Sequence, residues 1–213
     1  MQRYRDGVFV KVCGITVPGD ALAVAGAGAD AVGLIFAESP RRVTVEAATA
    51  VVAALPRSVR AVGVFRAAPA TEVLRTVRAV GLGGVQLHEP GSPDVVAEIR
   101  RSVPFVLVAV AGGSPDCAPA ERWRADAVLV DAAVPGSGSA WEWSRFRAPS
   151  GPVRVVLAGG LGPDNVAAGI AAVHPWGVDA SSALEDSPGR KNHDAVRRFV
   201  AAAKSATGTL SAC

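Results

Sequence analysis

The chain contains little cysteine: among its 213 residues only Cys13, Cys117 and Cys213 are of this type. An odd number of cysteines without paired spacing argues against a disulfide framework and against a cysteine-ligated zinc site. Scarce, unpaired cysteine is typical of proteins that work in a reducing compartment. We therefore expect a cytoplasmic protein without a metal site.

Two further features are missing, namely a long apolar run and a dense group of basic residues. A membrane-spanning helix needs about 18 or more uninterrupted apolar residues, and no segment offers them. The N-terminal residues MQRYRDG also lack the apolar stretch of a signal peptide. The formal net charge is only +3, which is a weak electrostatic basis for binding nucleic acid. Neither a membrane nor a nucleic acid is therefore an expected partner.

Hydrophobic residues make up 50% of the chain, and they recur as short strand-like runs with helix-like segments between them. These runs are apolar on both faces, as in parallel strands that are covered by helices. The eight runs are VFVKVC, DAVGLIF, VRAVGVF, GGVQLH, PFVLVAV, DAVLVDA, VRVVLAG and WGVDASS. They predict an α/β protein, a single-domain (β/α)8 TIM barrel over residues 1–213 with a frayed tail from about residue 206.

A doubly wound open sheet is the main alternative fold, since it also alternates strands and helices. Its usual fingerprint, G-x-G-x-x-G after the first strand, is absent, and CGIT stands there instead. Thr44 and Pro163 have residue types that begin helices. The helices after the fifth and sixth strands are predicted to be only a turn or two long. The barrel is the preferred fold.

In a (β/α)8 barrel, the residues that act on a substrate lie at the carboxyl ends of the strands. These ends converge on one mouth, where a thiol, a carboxylate, an arginine and backbone N–H groups would come together. The strand ends and the loops after them supply the candidates Cys13, Arg41, Arg42, Gln86, His88, Asp131, Gly159, Gly160, Asp179, Ser181 and Ser182.

The ends of the seventh and eighth strands give the strongest signal for a ligand. LAGGLGPDNV, with Gly159 and Gly160, is a glycine turn that opens a helix, and Ser182 and Glu185 have the spacing of a capping box. Two adjacent helix N-termini favour an anion, and barrels often bind phosphate at this place. The alternative is that the glycines only make a tight turn. We favour phosphate binding because both turns have suitable residues.

Each remaining candidate has an ordinary structural interpretation. Cys13 can be a small buried hydrophobic residue, Asp131 a helix or loop cap, and His88 a structural residue. Arg41 or Arg42 can be a surface charge. Their combination at one barrel mouth instead favours acid–base chemistry on a small anionic substrate.

The chain resembles a known family, and the resemblance covers nearly its whole length. In the family's order it carries KVCGIT, GLIFAESPRRVT, VGVF, VQLHE, VLVDA, GSGSAWEW, LAGGLGPDNV, GVDASS and PGRKNHDAVRRFV. KVCGIT near the start together with LAGGL and VDASS near the end is a specific combination. The chain is thus similar to the phosphoribosylanthranilate isomerases, the barrel enzymes of tryptophan biosynthesis.

The resemblance implies an Amadori rearrangement of N-(5-phosphoribosyl)anthranilate to 1-(2-carboxyphenylamino)-1-deoxyribulose 5-phosphate, without a cofactor. By the family pattern, Asp131 is the general acid and Cys13 is the general base. Arg41, or the adjacent Arg42, binds the anthranilate side of this small phosphorylated substrate. Barrels of this kind occur as monomers and dimers, and we expect a monomer or a weak homodimer.

The same resemblance assigns the phosphate to the two turns after the last strands. The residues implied are Gly159, Gly160, Ser181, Ser182 and Ala183. Ala183 stands where the family usually has glycine. In the loop after the sixth strand, Pro135 replaces a glycine and Ser139 replaces a lysine, so this loop is expected to be stiffer and less basic.

The run VFVKVCGIT places Lys11 and Cys13 two residues apart, and therefore on the same face of a strand. A lysine inside the barrel needs a partner. Since the eighth strand neighbours the first in a closed barrel, we expect an ion pair between Lys11 and Asp179 beneath the active site. Lys11 would then favour the thiolate of Cys13, with Gln86 and His88 in supporting positions.

Three other functions fit parts of this pattern. A related barrel isomerase that acts on the aminoaldose of histidine biosynthesis would be expected to have an aspartate at Cys13 and a clearer two-halved repeat. A catalytically silent phosphate-binding barrel would not need both Cys13 and Asp131. A cysteine hydrolase would need a histidine beside the thiol, and only His88 lies at a predicted strand end.

Overall fold

Eight parallel strands form a closed barrel in chain order, and β8 pairs with β1 to close it. The computed structural model describes residues 7–111, 120–131 and 153–206. The strands are β1 (Phe9–Cys13), β2 (Ala31–Ile35), β3 (Arg60–Arg66), β4 (Gly84–His88), β5 (Val106–Ala111), β6 (Ala127–Asp131), β7 (Val155–Leu157) and β8 (Gly177–Ala180). This topology confirms the predicted (β/α)8 barrel.

The described α-helices are α1 (Pro18–Gly26), α2 (Val45–Ala54), α3 (Ala70–Val80), α4 (Pro93–Arg100), α5 (Val166–Val173) and α6 (His193–Ser205). A 3₁₀ turn over Ala120–Trp123 stands where the short fifth helix was expected. The expected short helix after β6 lies outside the described residues, as does the tail expected to fray from about residue 206, except for residue 206 itself. None of the described helices is long and apolar enough to cross a membrane.

Two predicted helix starts have different outcomes. The start of α2 is confirmed, because the Thr44 side chain accepts a hydrogen bond from the Ala47 N–H at 3.2 Å. The helix after β7 begins at Val166, later than predicted. Pro163 therefore does not begin it, since residues 163–165 form a turn.

Alternation along β1 determines which of its side chains reach the site. Val10 and Val12 are fully buried in the apolar layer between strands and helices, together with Phe199 of α6. Successive side chains of a strand point to opposite faces. Lys11 and Cys13 therefore point into the barrel.

Aromatic side chains fill the N-terminal end of the barrel. The Phe9 ring stacks on Trp176 with centroids 4.7 Å apart, and Phe105 lies 5.8 Å from Phe9. The guanidinium group of Arg60 lies 4.5 Å from the centre of the Phe105 ring, and that of Arg154 lies 5.2 Å from Trp176. These five residues are the aromatic plug. Its buried rings close this end of the barrel with large apolar surfaces.

One contact occurs twice in the barrel. Asp30, just before β2, accepts a hydrogen bond from the Val10 N–H at 2.7 Å, and Asp126, just before β6, accepts one from the Val106 N–H at 2.8 Å. The N–H of each aspartate donates back to the carbonyl of the same valine at 2.9 Å. Each aspartate thus fixes the beginning of its own strand to the preceding one.

A two-stranded antiparallel hairpin follows β8, formed by β9 (Glu185–Ser187) and β10 (Arg190–Lys191). Gly189 in its turn has a φ of +81°, and the Thr16 hydroxyl donates to the Gly189 carbonyl at 2.6 Å. Because Thr16 follows the carboxyl end of β1, this contact holds the hairpin at the mouth of the barrel that carries Cys13.

Candidate active site

Lys11 and Asp179 form an ion pair inside the barrel, below the end of β1. Lys11 Nζ lies 2.9 Å from Asp179 Oδ1, and the lysine side chain is fully buried. The two residues are directly paired across β1 and β8, so the closure of the barrel brings them together. The predicted ion pair is confirmed.

The charge states around Cys13 follow from burial and from this pair. Burial raises the pKa of the Cys13 thiol above its ordinary value, although the ammonium groups of Lys11 and Lys191 lower it. Burial alone would lower the pKa of Lys11, but Asp179 and Cys13 raise it overall. Lys11 therefore stays charged. The expectation that Lys11 favours the thiolate has the correct direction, but burial outweighs its effect.

Gly33 on β2 makes room for both reactive groups. A Cβ atom at this position would lie 2.6 Å from Cys13 Sγ and 3.1 Å from Lys11 Nζ. The first separation is too short for a real contact. Any side chain here would displace the thiol, so the glycine allows Cys13 and Lys11 to occupy the same pocket.

Gln86 and His88, both on β4, add further polar groups to the interior of the barrel. The Gln86 amide nitrogen lies 2.9 Å from His88 Nε2. Burial and the charges of Lys11 and Arg66 lower the pKa of His88 to about 4. The imidazole is therefore neutral and accepts this hydrogen bond at Nε2, which assigns its proton to Nδ1.

The other amide atom of the same glutamine is unusual. Gln86 Oε1 is buried and has no hydrogen-bond partner among residues 7–111, 120–131 and 153–206. Buried acceptors normally have a partner. This oxygen can accept a hydrogen bond from a ligand that enters the barrel mouth.

Arg41 lies over the end of β1, in contact with the residues beside Cys13. A Cβ atom on Gly14 would be 2.6 Å from Arg41 Cδ and 3.0 Å from Ser181 Oγ. Ser181 Oγ donates to the Cys13 carbonyl at 3.0 Å. The loops after β1, β2 and β8 therefore meet at Gly14. Arg42, the sequence alternative, is exposed and forms a backbone bridge with Ile35.

The expected capping box at Ser182 and Glu185 is wrong. Ser182–Leu184 is a single 3₁₀ turn, and Glu185 begins β9 instead of continuing a helix. The Glu185 carboxylate binds Arg41 and Lys191. Sequence reasoning assigned no role to Lys191. The signal in the sequence is a single lysine in PGRKN, which does not identify partners that lie elsewhere in the fold.

The two proposed phosphate turns are in contact. Gly159 and Gly160 have φ values of +88° and +66°, and such turns can direct successive N–H groups at one anion. A Cβ atom on Gly162 would lie 3.1 Å from the Cβ of Ala183. The methyl group of Ala183 therefore faces the other turn.

The Asn165 side chain closes the turn after β7. Its Oδ1 accepts from the Gly162 N–H at 2.8 Å, and its Nδ2 donates to the Gly160 carbonyl at 2.9 Å. Ser182 and Ala183 begin the 3₁₀ turn after β8, where N–H groups have no partner within the turn. Together these features make a cradle suited to an anion.

Asp131 ends β6, in register with Ala111 of β5, and is partly exposed. β6 is three strands from β1 around the barrel, so Asp131 and Cys13 approach the mouth from different sides. Pro135 and Ser139 lie outside the described residues.

Within the described part of the chain, no three His, Cys, Asp or Glu side chains are grouped as metal ligands.

The family model described as N-(5'phosphoribosyl)anthranilate (PRA) isomerase matches residues 10–202. An N-(5'-phosphoribosyl)anthranilate isomerase from Rubrobacter xylanophilus is 46% identical over 203 residues, covering 92% of this chain and 98% of the relative. The one from Deinococcus radiodurans is 44% identical over 202 residues, covering 92% and 97%.

Solved structures give the same result. Phosphoribosyl anthranilate isomerase from Thermus thermophilus has a TM-score of 0.84 at 35% identity, covering 93% of this chain and 99% of that one. A phosphoribosyl anthranilate isomerase in complex with reduced 1-(o-carboxyphenylamino)-1-deoxyribulose 5-phosphate has a TM-score of 0.81 at 35% identity, with the same coverage. Both matches cover nearly the whole of this chain.

Proposed function

Because the chain belongs to the N-(5'-phosphoribosyl)anthranilate isomerase family, we propose that Asp131 and Cys13 are the acid and base of that family's reaction. The activity is an aldose–ketose isomerisation in tryptophan biosynthesis. The substrate is N-(5-phosphoribosyl)anthranilate, and the product is 1-(2-carboxyphenylamino)-1-deoxyribulose 5-phosphate. The reaction moves protons without a net change of oxidation state.

In the first step, Asp131 donates a proton to the furanose ring oxygen. The bond between C1′ and this oxygen breaks, and the anthranilate nitrogen supplies the electron pair that forms a Schiff base. Cys13 then removes the proton from C2′, which gives an enolamine. The enolamine becomes the ketone by gaining a proton at C1′ and losing the proton of the C2′ hydroxyl, and a net transfer of one proton from the Cys13 thiol to the Asp131 carboxylate returns both groups to their initial states.

The convergence of three loops at Gly14 is the observation that carries this proposal. The Cys13 carbonyl, the Arg41 side-chain stem and the Ser181 hydroxyl lie next to one another there, which supports a substrate site beside Cys13. A substrate with a phosphate in the cradle and its anthranilate carboxylate on Arg41 would extend across Cys13. Arg41 rather than Arg42 is the arginine we assign to the carboxylate, because Arg42 is exposed away from this convergence.

The test is the loss of phosphoribosylanthranilate fluorescence in the presence of wild type and of the Asp131→Asn variant. A carboxamide cannot donate the proton, so we expect kcat to fall by about 100-fold or more. Asp126→Asn is a matched control, since it makes the same change just before β6, at the opposite end of the strand from Asp131, and should retain activity. Unchanged kcat in Asp131→Asn would remove Asp131 as the acid.

The alternative isomerase is tested with the same preparation. We expect wild type to convert the aminoaldose of histidine biosynthesis far more slowly than phosphoribosylanthranilate. Comparable kcat/KM values for the two substrates would replace the single-substrate assignment with a dual one.

A further inference from the structure

Glu185 binds the guanidinium group that faces the mouth of the barrel. Arg41 Nε donates to Glu185 Oε1 at 2.9 Å and to Oε2 at 3.0 Å, and Arg41 Nη2 donates to Oε2 at 2.7 Å. Only 4% of the Glu185 side chain is exposed. A two-point contact of this kind fixes the plane of a guanidinium as well as its position.

Lys191 binds the same carboxylate from the other side. Its Nζ lies 2.7 Å from Glu185 Oε1 and 3.1 Å from the Ser181 carbonyl, and its side chain is fully buried. The Gly189 N–H also donates to Oε1, at 3.3 Å. The hairpin of β9 and β10 therefore holds Glu185 in one orientation.

The charges in this cluster do not cancel. Arg41 and Lys191 are cations and Glu185 is a single anion, so the three side chains together carry one positive charge. Burial alone would raise the pKa of Glu185, but Arg41 and Lys191 lower it overall, and the carboxylate stays ionised. Without Lys191, the pair of Arg41 and Glu185 would be neutral and would attract an anion weakly.

Glu185 leaves part of Arg41 available. The contacts use Nε and Nη2, so Nη1 and the second hydrogen of Nη2 point away from the carboxylate. These two donors form the edge with which a guanidinium binds a second carboxylate. A Cβ atom on Gly14 would lie 2.6 Å from Arg41 Cδ, so the Arg41 side chain crosses the end of β1 that carries Cys13.

We propose that Glu185 is a positioning residue, which holds Arg41 so that its free edge binds the aromatic carboxylate of the substrate, while Lys191 keeps the cluster positively charged. This inference rests on the proposed function for the identity of the carboxylate. It assigns a role to the hairpin of β9 and β10, which contributes neither the acid nor the base.

The experiment compares two probes that differ in one group. The first is reduced 1-(o-carboxyphenylamino)-1-deoxyribulose 5-phosphate, and the second is the same compound without its carboxyl group. Calorimetry gives both dissociation constants for each variant. We expect wild type to bind the first probe about tenfold or more tightly than the second, because charge-assisted bidentate contacts are strong.

In Glu185→Gln, we expect most of this preference to be lost, with the dissociation constant of the carboxyl-free probe within about threefold of wild type. The variant gains a positive charge, so pure electrostatic attraction would instead increase the preference. An unchanged or increased preference overturns the positioning role. Equal weakening of both probes also overturns it, since that result indicates a general structural defect.

Lys191→Met removes the extra charge while retaining a long apolar stem, and we expect it to reduce the preference as well. If Glu185→Gln does not fold, the double variant Glu185→Gln/Lys191→Met leaves no buried ammonium unpaired and serves in its place, with the same expected loss. Asp186→Asn is the matched control. Asp186 lies next to Glu185, is exposed and binds Asn192, so its change should retain the preference.

Turnover provides a second readout. For Glu185→Gln, we expect KM for phosphoribosylanthranilate to rise about tenfold, with kcat changed by less than about threefold. A loss of kcat at constant KM contradicts the proposal. If wild type itself shows no turnover, the proposed function fails, whereas the ratio of the two probes still reports on Glu185. If wild type does not distinguish the probes, there is no carboxylate subsite and the inference is wrong.

Discussion

The aromatic plug at the N-terminal end of the barrel and the polar site at its C-terminal end fill the same interior with opposite kinds of side chain. The change occurs along one strand: Phe9, Lys11 and Cys13 all point inward from β1, one pleat apart. Phe9 packs on aromatic rings, whereas two residues later Lys11 needs Asp179 as a partner. The three successive inward side chains are thus an aromatic ring that packs, an ammonium group that carries charge, and a thiol that can react.

The difference shows where stability and function are separated. Rings in the plug remove apolar surface from water, which stabilises the fold directly. A buried ion pair such as Lys11 with Asp179 contributes less, because removing both charges from water offsets most of their attraction. The pair also acts on Cys13 from two directions, because the Lys11 ammonium lowers the pKa of the thiol and the Asp179 carboxylate raises it.

The largest expected effect is a loss of activity, and it comes from a change at the C-terminal end of the barrel. Cys13→Ser replaces the thiol by a hydroxyl, which is far less acidic, so we expect kcat to fall by about 100- to 10,000-fold. The melting temperature should change little compared with this loss. Residual activity above a tenth of wild type would show that Cys13 is not the base.

The pH dependence of wild type belongs to the same prediction. Only the thiolate can remove a proton, and burial raises the Cys13 pKa. Below that pKa, the rate at which Cys13 is alkylated, obtained by comparison with Cys13→Ser, should rise about tenfold for each pH unit from neutral pH into the alkaline range, because only the thiolate reacts. An alkylation rate that is flat between pH 7 and 9 would mean that the thiol is already ionised in the free enzyme.

The second expected effect is a loss of stability, and it comes from a change in the aromatic plug at the N-terminal end of the barrel. Phe9→Ala removes a ring that is 1% exposed and touches Phe105 and Trp176, so the free energy of unfolding should fall by about 3–5 kcal/mol. Urea denaturation measures it, and kcat of the folded variant should stay near that of wild type. Phe36→Ala, at the other end of the barrel and partly exposed, is expected to cost less. Equal losses of unfolding free energy in Phe9→Ala and Phe36→Ala would contradict the conclusion that the aromatic plug stabilises the fold more than the C-terminal end does.

The third effect concerns acid stability. Folding lowers the pKa of His88 from 6.5 to about 4. Above pH 6.5 the ring is neutral in both the folded and the unfolded chain, so it does not reduce the free energy of unfolding there. As pH falls from 6.5 toward 4, the unfolded chain takes up the proton first, and the folded state should lose about 3 kcal/mol. His88→Asn should remove this part of the decline, as seen in urea denaturation at several pH values.

The matched control for this change is His174→Asn. His174 is exposed before β8, in a left-handed conformation that asparagine tolerates. This variant should keep the wild-type dependence on pH. A decline that persists in His88→Asn would assign the acid sensitivity to other groups.

The sequence predicted much of the fold and the deepest part of the site because those features depend on regular patterns. Eight apolar runs gave all the barrel strands. The neighbourhood of the first and eighth strands in a closed barrel predicted the contact of Lys11 with Asp179. Register and alternation are periodic properties, so they can be derived without coordinates.

The cluster around Glu185 was not predictable in this way. Its spacing from Ser182 imitates a local capping box, but the carboxylate binds Arg41, which lies 144 residues away in the chain. Lys191 is buried although the chain around it is polar. Contacts between loops follow no period, and the competition between a local cap and a distant arginine is decided only when the barrel closes.

Because the chain is synthesised from its N-terminus, the closure of the barrel also determines when the site forms. The site joins residues 11–41 to residues 179–191, through contacts that span 144 to 173 residues. Such distant contacts form late, because a long loop must first be closed. A nascent chain with seven finished strands carries Lys11 and Arg41 without their acidic partners. The enzyme therefore gains its substrate site only after the hairpin of β9 and β10 has left the ribosome.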